Sequence, residues 1–212
     1  MKHQAEILRE YGPFPRADAI HGVSFDGRSI WVAAGDHLLA IDPESGEAGQ
    51  VLDMLADAGT AFDGRHLYQL AQSLIRKIDP ADGRVVATIP APGGERASGL
   101  AWSEGSLWVG QYDGRAIIRV DAETGEVQRE IRSNRFVTGV SWVEGELWHG
   151  TWENGQSELR QIDPLSGVVL DSMEMPEGKI ISGLGSDGAE RFFCGGGVSG
   201  RLRVVRRPRA AR

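Results

Sequence analysis

The sequence predicts an all-β chain, a five-bladed β-propeller of four-stranded antiparallel blades whose last blade is closed by an N-terminal strand. Two observations support this. One text recurs at a period near 40 residues, and each copy alternates apolar and polar residues between turn signals, with no helical period anywhere.

The chain opens on "EILREY" (Glu6 to Tyr11), which matches "EVQREI" (Glu126 to Ile131), an outer strand of a later copy. Four full copies follow: "IWVAAGDHLLAIDPESGE", "LYQLAQSLIRKIDPADGR", "LWVGQYDGRAIIRVDAETGE" and "LWHGTWENGQSELRQIDPLSGV". Their aromatics are Trp31, Tyr68, Trp108 and Trp148, and their aspartates Asp42, Asp79, Asp121 and Asp163. A short strand with a shared glycine precedes each: "HGVSFDG", "AGTAFDG", "SGLAWSEG" and "TGVSWVEG". The unit is strand, tight turn, strand, loop, strand, Asp-rich turn, strand, which is one propeller blade. A fifth copy, "SGLGSDG" then "RFFCGGGVSGRLRVVRR", has Phe193 in the aromatic place and Arg206 where Asp is expected. It lacks an outer strand, so the N-terminal segment is expected to supply it and remove the open edge. The expected organisation is a single domain over 1–212: residues 1–15 as outer strand of the last blade and entry, 16–207 as five blades, and 208–212 as a tail.

The aromatics, with Phe25, Phe62, Trp102 and Trp142, are expected to wedge between blades. The aspartates are expected to cap turns.

Composition narrows the function. A net charge of −7 argues against a general nucleic-acid binder. Cys194 is the only cysteine, so no internal disulfide forms and a reducing compartment is permitted. No run approaches the ~18 apolar residues of a membrane span, and "MKHQAEILREYGPFP" lacks the apolar core of a signal peptide. A cytoplasmic monomer is expected, with a small polar or anionic molecule as partner and neither nucleic acid nor membrane.

In a propeller, the starts of the inner strands and the loops after the second strands open on one end of the channel. The first set comprises His21, Ala58, Ser98, Thr138 and Ser182, just before the shared glycines. The second is read from the spacing between aromatic and aspartate, which is 11, 11, 13 and 15 residues in the four full copies. The longest belongs to "HGTWENG" (His149 to Gly155), expected to be a loop aimed at the mouth. Trp152 is the one tryptophan of six outside a repeated packing position, which makes it a candidate ligand platform.

His149, Glu153 and His21 are the candidate catalytic residues, because an imidazole beside a carboxylate suits proton transfer near neutrality. His149 is equally read as a hydrogen-bonded residue of the inter-blade layer. The candidate substrate-binding residues are Trp152, Tyr112, Asn154, Gln111, Ser98, Arg96, Arg135 and Cys194. Arg96 and Arg135 would supply positive potential with Arg16 and Lys179, and Cys194 is either a reactive or a buried inert thiol. No cofactor is expected; a divalent metal on His149, Glu153 and His21 is an alternative use of the same side chains, without a compact spacing motif to mark it.

The chain resembles the five-bladed propeller glutamine cyclotransferases, which convert N-terminal glutamine to pyroglutamate. The resemblance rests on "AIHGV" (Ala19 to Val23), "GELWHGTW" (Gly145 to Trp152), "ISGLG" (Ile181 to Gly185) and "RFFCGGG" (Arg191 to Gly197). It implies an acyl-transfer enzyme, and Trp152 matches the family's tryptophan. The family's functional Asn falls at Gly150, its Lys near Gly197, its Glu at Val32 and its Gln at His21, so the substrate is expected to differ. The streptogramin lyases, usually seven-bladed, are a more distant resemblance and imply elimination as an alternative reaction. A non-catalytic propeller that binds a small molecule or protein is the alternative of another class.

Overall fold

The computed structural model describes residues 2–208. The last four positions of the expected tail, 209–212, lie outside the described residues. The chain begins with β1 (Lys2–Gln4) and β2 (Ile7–Tyr11). The first blade is β3 (Gly22–Phe25), β4 (Ile30–Ala33), β5 (Gly35–Ile41) and β6 (Ala48–Ala56). The second is β7 (Thr60–Phe62), β8 (Leu67–Ala71), β9 (Leu74–Ile78) and β10 (Val85–Pro90). A 3₁₀ turn at Gly94–Arg96 leads to the third: β11 (Ala97–Ser103), β12 (Ser106–Gln111), β13 (Ala116–Asp121) and β14 (Val127–Arg132). The fourth is β15 (Phe136–Val143), β16 (Glu146–Glu153), β17 (Gln156–Ile162) and β18 (Val169–Glu174). The fifth is β19 (Gly183–Ser186), β20 (Arg191–Gly195) and β21 (Leu202–Arg206), completed by β2. The fold is the all-β, five-bladed propeller that the repeat predicts, with antiparallel pairing inside every four-stranded unit.

The N-terminal segment does more than the expected closure. β2 pairs antiparallel with β21, Tyr11 opposite Leu202, which closes the last blade. β1 instead runs parallel to β18, Lys2 opposite Ser172 and Gln4 opposite Glu174, as a fifth strand on the fourth blade. Tyr11 then donates its hydroxyl to Pro43 O of the first blade at 2.8 Å. Residues 2–11 thus touch three blades across the seam of the ring.

Five glycines form the hub. A Cβ on Gly22 would lie 2.4 Å from Ala58 O, on Gly59 2.4 Å from Leu100 N, and on Gly99 2.7 Å from Val140 N. One on Gly139 would lie 2.7 Å from Leu184 N, and one on Gly183 2.8 Å from Gly22 itself. The five contacts close a circle, and each obstacle is backbone rather than a movable side chain. Beneath this ring the inner strands leave only about 70 Å³.

The wedge aromatics lie between blades as expected. The Trp108 and Trp142 rings stack at 5.8 Å, Trp148 meets Phe192 at 5.1 Å, and Phe193 meets Phe25 at 5.5 Å. Burial leaves their polar handles in need of partners. Trp31 Nε1 donates to Asp26 at 2.7 Å, Tyr68 to Asp63 at 3.2 Å, Trp108 to Ser103 at 3.0 Å and Trp148 to Glu146 at 2.8 Å. Each partner belongs to the same blade's first hairpin, so aromatic and turn are one device.

The aspartates cap turns as expected. Asp163 Oδ1 accepts from Leu165 N at 3.0 Å and Ser166 N at 2.6 Å, and Asp42 and Asp121 repeat the pattern. These amide donors hold the carboxyls of Asp42, Asp121 and Asp163 below their ordinary value.

Two outcomes follow from the hub and the turns. Gly99→Ala should cost about 1–3 kcal/mol or more, because the added carbon meets backbone. Gly49→Ala, whose nearest neighbour would be 3.7 Å away, should be neutral or mildly stabilising in the same urea melts. Asp163→Ala should lower Tm by a few degrees at pH 7. A carboxyl depressed in the folded state stabilises above its unfolded pKa and loses that contribution as pH falls, so the gap between variant and parent should shrink below pH ~4 in thermal melts.

Candidate functional site

A cavity of about 350 Å³ opens at one end of the channel, above the glycine ring. All five residues preceding the hub glycines line it: His21, Ala58, Ser98, Thr138 and Ser182. The hub brings the inner strands together at these glycines, so the side chains just before them converge. Ile180 and Ile181 of the fifth blade, Ala97 of the third and Asp57 of the second complete the floor and sides.

The remaining wall is aromatic. Trp152, the last residue but one of β16, lies opposite Phe136 of β15. Phe136 stacks on Tyr112 at 4.7 Å and 14°, and Tyr112 and Trp152 both line the cavity. The Arg115 guanidinium lies 4.1 Å from the Phe136 ring centre, and its Nη1 is 3.0 Å from Glu153 Oε2. Glu153 therefore fastens the arginine that backs the aromatic wall, and it does not line the cavity. Burial raises the Tyr112 hydroxyl above its ordinary value, so it stays protonated near neutrality.

The hydroxyls at the mouth are not equivalent. Ser182 Oγ donates to Ile20 O and accepts from Gly197 N at 2.8 Å. Ser98 Oγ donates to Val137 O at 2.7 Å. Thr138 Oγ1 is buried without a partner among the described residues, and an unsatisfied donor there favours a ligand acceptor. His21 is half-buried, and burial lowers its imidazole below the ordinary value while the Asp57 carboxylate pulls the other way. A histidine so placed is neutral at pH 7 and able to accept a proton.

"HGTWENG" is not a loop. β16 and β17 run on to Glu153 and Gln156, and Asn154 and Gly155, with φ of 49° and 82°, make the two-residue hairpin turn. Asn-Gly suits that turn because both central residues need positive φ. The extra length is extra strand, and strand residues alternate between faces. Trp148 packs on Phe192 of the fifth blade, Gly150 sits against Ile181, and Trp152 lines the mouth. His149 and Glu153 fall on the opposite face, toward the third blade.

His149 is consequently buried at 2 % exposure in the layer between the third and fourth blades and does not reach the cavity. Burial, then the nearby Arg160, push its imidazole down to about 3. His149, Glu153 and His21 do not meet, and among the described residues no three His, Cys, Asp or Glu side chains form a metal-binding group. Cys194 is fully buried in the hydrophobic core, where burial pushes its thiol up to about 12. It does not line the mouth cavity, and its thiolate is scarce at neutral pH.

Four other candidates also stand off the cavity. Gln111 donates to Pro92 O at 2.9 Å and holds the loop before the third blade. Asn154 is an exposed turn residue, and Arg96 is exposed on the 3₁₀ turn. Arg135 pairs with the buried Glu158 at 3.3 Å. Asp57 and Phe136 were not singled out from the sequence. The signal for Asp57 was its place one residue before the mouth position of the blade next to His21.

The positions implied by the cyclotransferase resemblance can be read directly. A Cβ on Gly150 would lie 2.7 Å from both Ile181 and Thr138 Oγ1, so no asparagine fits there without movement. A Cβ on Gly197, which has φ of 56°, would lie 2.8 Å from Ile180. Val32 is fully buried. Of the four positions, only His21 presents a polar side chain to the cavity.

The buried imidazole of His149 makes a pH prediction. Its folded pKa lies below the ordinary 6.5, so its contribution to stability is intact above pH 6.5 and is lost as pH falls toward 3. His149→Val should remove this loss, on the order of 5 kcal/mol across that window. Urea melts of parent and variant at pH 7, 5 and 4 check it, with the difference growing as pH drops.

By sequence the chain matches no protein-family model and no curated protein. By structure it is similar to the glutaminyl cyclase of Myxococcus xanthus, with a TM-score of 0.78 at 19 % identity over 97 % of each chain. It is also similar to hydrazine synthase of Kuenenia stuttgartiensis, with a TM-score of 0.53 at 17 % identity, over 85 % of this chain and 56 % of that one. At these identities the likeness is one of fold: the chain shares its five-bladed propeller, over nearly its whole length, with a glutaminyl cyclase.

Proposed function

We propose that the protein is a cyclotransferase-like enzyme that acts on a small polar substrate in the mouth cavity by general acid–base catalysis, with His21 as the proton-transfer group. The observation that carries this reading is the convergence, in one cavity, of a half-buried neutral imidazole, a neighbouring carboxylate and an unpartnered hydroxyl: His21, Asp57 and Thr138. The fold shared with a glutaminyl cyclase supports the reaction type.

For an N-terminal glutaminyl substrate, the α-amine nitrogen attacks the side-chain carboxamide carbon. His21 takes the amine proton as the C–N bond forms and returns it to the departing nitrogen, which leaves as ammonia. Asp57 stabilises the transient imidazolium, Thr138 Oγ1 donates to the oxygen that gains charge, and Trp152 and Tyr112 hold the substrate's apolar surface. His149 and Glu153 have no place in this scheme, because the pleat turns them away from the cavity.

Ammonia release from a glutaminyl dipeptide tests the reading. His21→Gln should lower kcat/KM by about 10²–10⁴-fold, and the acidic limb of the parent's pH profile should lie below pH 6.5. Trp152→Ala should raise KM more than it lowers kcat. Turnover unchanged in His21→Gln defeats the assignment. If the dipeptide perturbs Trp152 fluorescence while no ammonia or other product appears, the site is a binding site and not an active one.

A further inference from the structure

A second pocket, of about 200 Å³, lies between the third and fourth blades, lined by different residues from the mouth. Its apolar surface is Ile117 and Ile131 of the third blade and Ile162 and Val169 of the fourth. His149, Arg160, Asn134, Arg132 and Ser133 provide its polar surface. The corresponding positions in other blades are Val32, Val109, Gln69 and Cys194, so the fourth blade alone has an imidazole at this position. That imidazole is 2 % exposed, and its Nδ1 has no hydrogen-bond partner among the described residues. A buried polar group in that state is costly unless something in the pocket bonds to it.

The surrounding charge indicates what that partner is. Arg160 bonds Glu158 at 2.9 Å and Asn134 Oδ1 at 2.7 Å, while Arg135 reaches the same Glu158 at 3.3 Å. Two arginines thus share one buried carboxylate. Arg132, also on the pocket, pairs with the exposed Glu130 at 2.6 Å. Three arginines stand here against two carboxylates, and Arg160 disfavours a charged His149 more than Glu158 favours it, so the formal charge around the pocket is positive. A cation is disfavoured there, and a dianion would find too few donors to replace its water. A monoanion with a short hydrocarbon tail matches both halves of the pocket.

We propose that this inter-blade pocket binds a small carboxylate with a short aliphatic tail, hydrogen-bonded to the His149 ring, with Arg160 as counter-charge and the isoleucines beneath the tail. The carboxylate accepts from Nδ1 of the neutral ring in the tautomer that carries its proton there.

Butyrate and butylamine are titrated into the full chain while the His149 imidazole signals are followed by NMR. Butyrate should shift them saturably, with Kd on the order of 1 mM, and butylamine should not. His149→Val, the residue that blades one and three carry there, should weaken butyrate binding at least about tenfold by calorimetry. Ile131→Trp, which fills the pocket with the imidazole in place, should do the same, and His21→Ala should leave binding intact. Unmoved His149 signals at about 50-fold that concentration, as for a pocket that holds only water, would overturn the proposal. Undiminished butyrate binding in His149→Val would overturn it as well, since the anion would then sit elsewhere.

Discussion

The closeness of five glycines at the hub is the constraint on which the rest of the structure depends. Each inner strand passes its neighbour so tightly that an added carbon would meet backbone at 2.4–2.8 Å. Such an approach is open only to a residue without a side chain. The ring blocks the channel below, and only about 70 Å³ remains there. Within the channel, the roomier space lies above the ring, where the residue before each glycine is carried inward. The mouth cavity is therefore a consequence of ring closure, and its five convergent positions are fixed before any of them is given a chemistry.

This is also why the fold was legible. Each blade writes its own hairpins, its own wedge aromatic and its own turn aspartate in consecutive residues, and the copies confirm one another. The convergence of His21 with Ser98, Thr138 and Ser182 was legible for the same reason, through the shared glycine. β1 was not. Its three residues pair with β18 across nearly the whole sequence, in a parallel register that leaves no hairpin signal. Nothing in "KHQ" distinguishes a strand from an exposed end.

The candidate residues around Trp152 divide along a physical line. Reading "HGTWENG" as a loop lets His149, Trp152 and Glu153 meet; reading it as a hairpin ending in Asn-Gly separates them, because alternate residues face different blades. The dipeptide was the available signal. What the sequence alone could not supply was burial, which divides like residues by environment. His21 keeps Asp57 nearby and partial access to solvent, whereas His149, sealed between blades beside Arg160, is held neutral through the whole physiological range.

The positions at which this chain departs from the cyclotransferase pattern follow from the same packing. Gly150 and Gly197 stand where a side chain would strike Ile181, Thr138 or Ile180, so the fourth and fifth blades make close contact at those places. In the first blade Val32 is buried as well, and the polar side chains that line the cavity from the first and second blades are His21 and Asp57. Because the glycine ring fixes where the mouth positions point, polar chemistry can move from one blade to another without disturbing the geometry of the opening. The hub fixes where the cavity lies and leaves open which blade lines it with polar side chains.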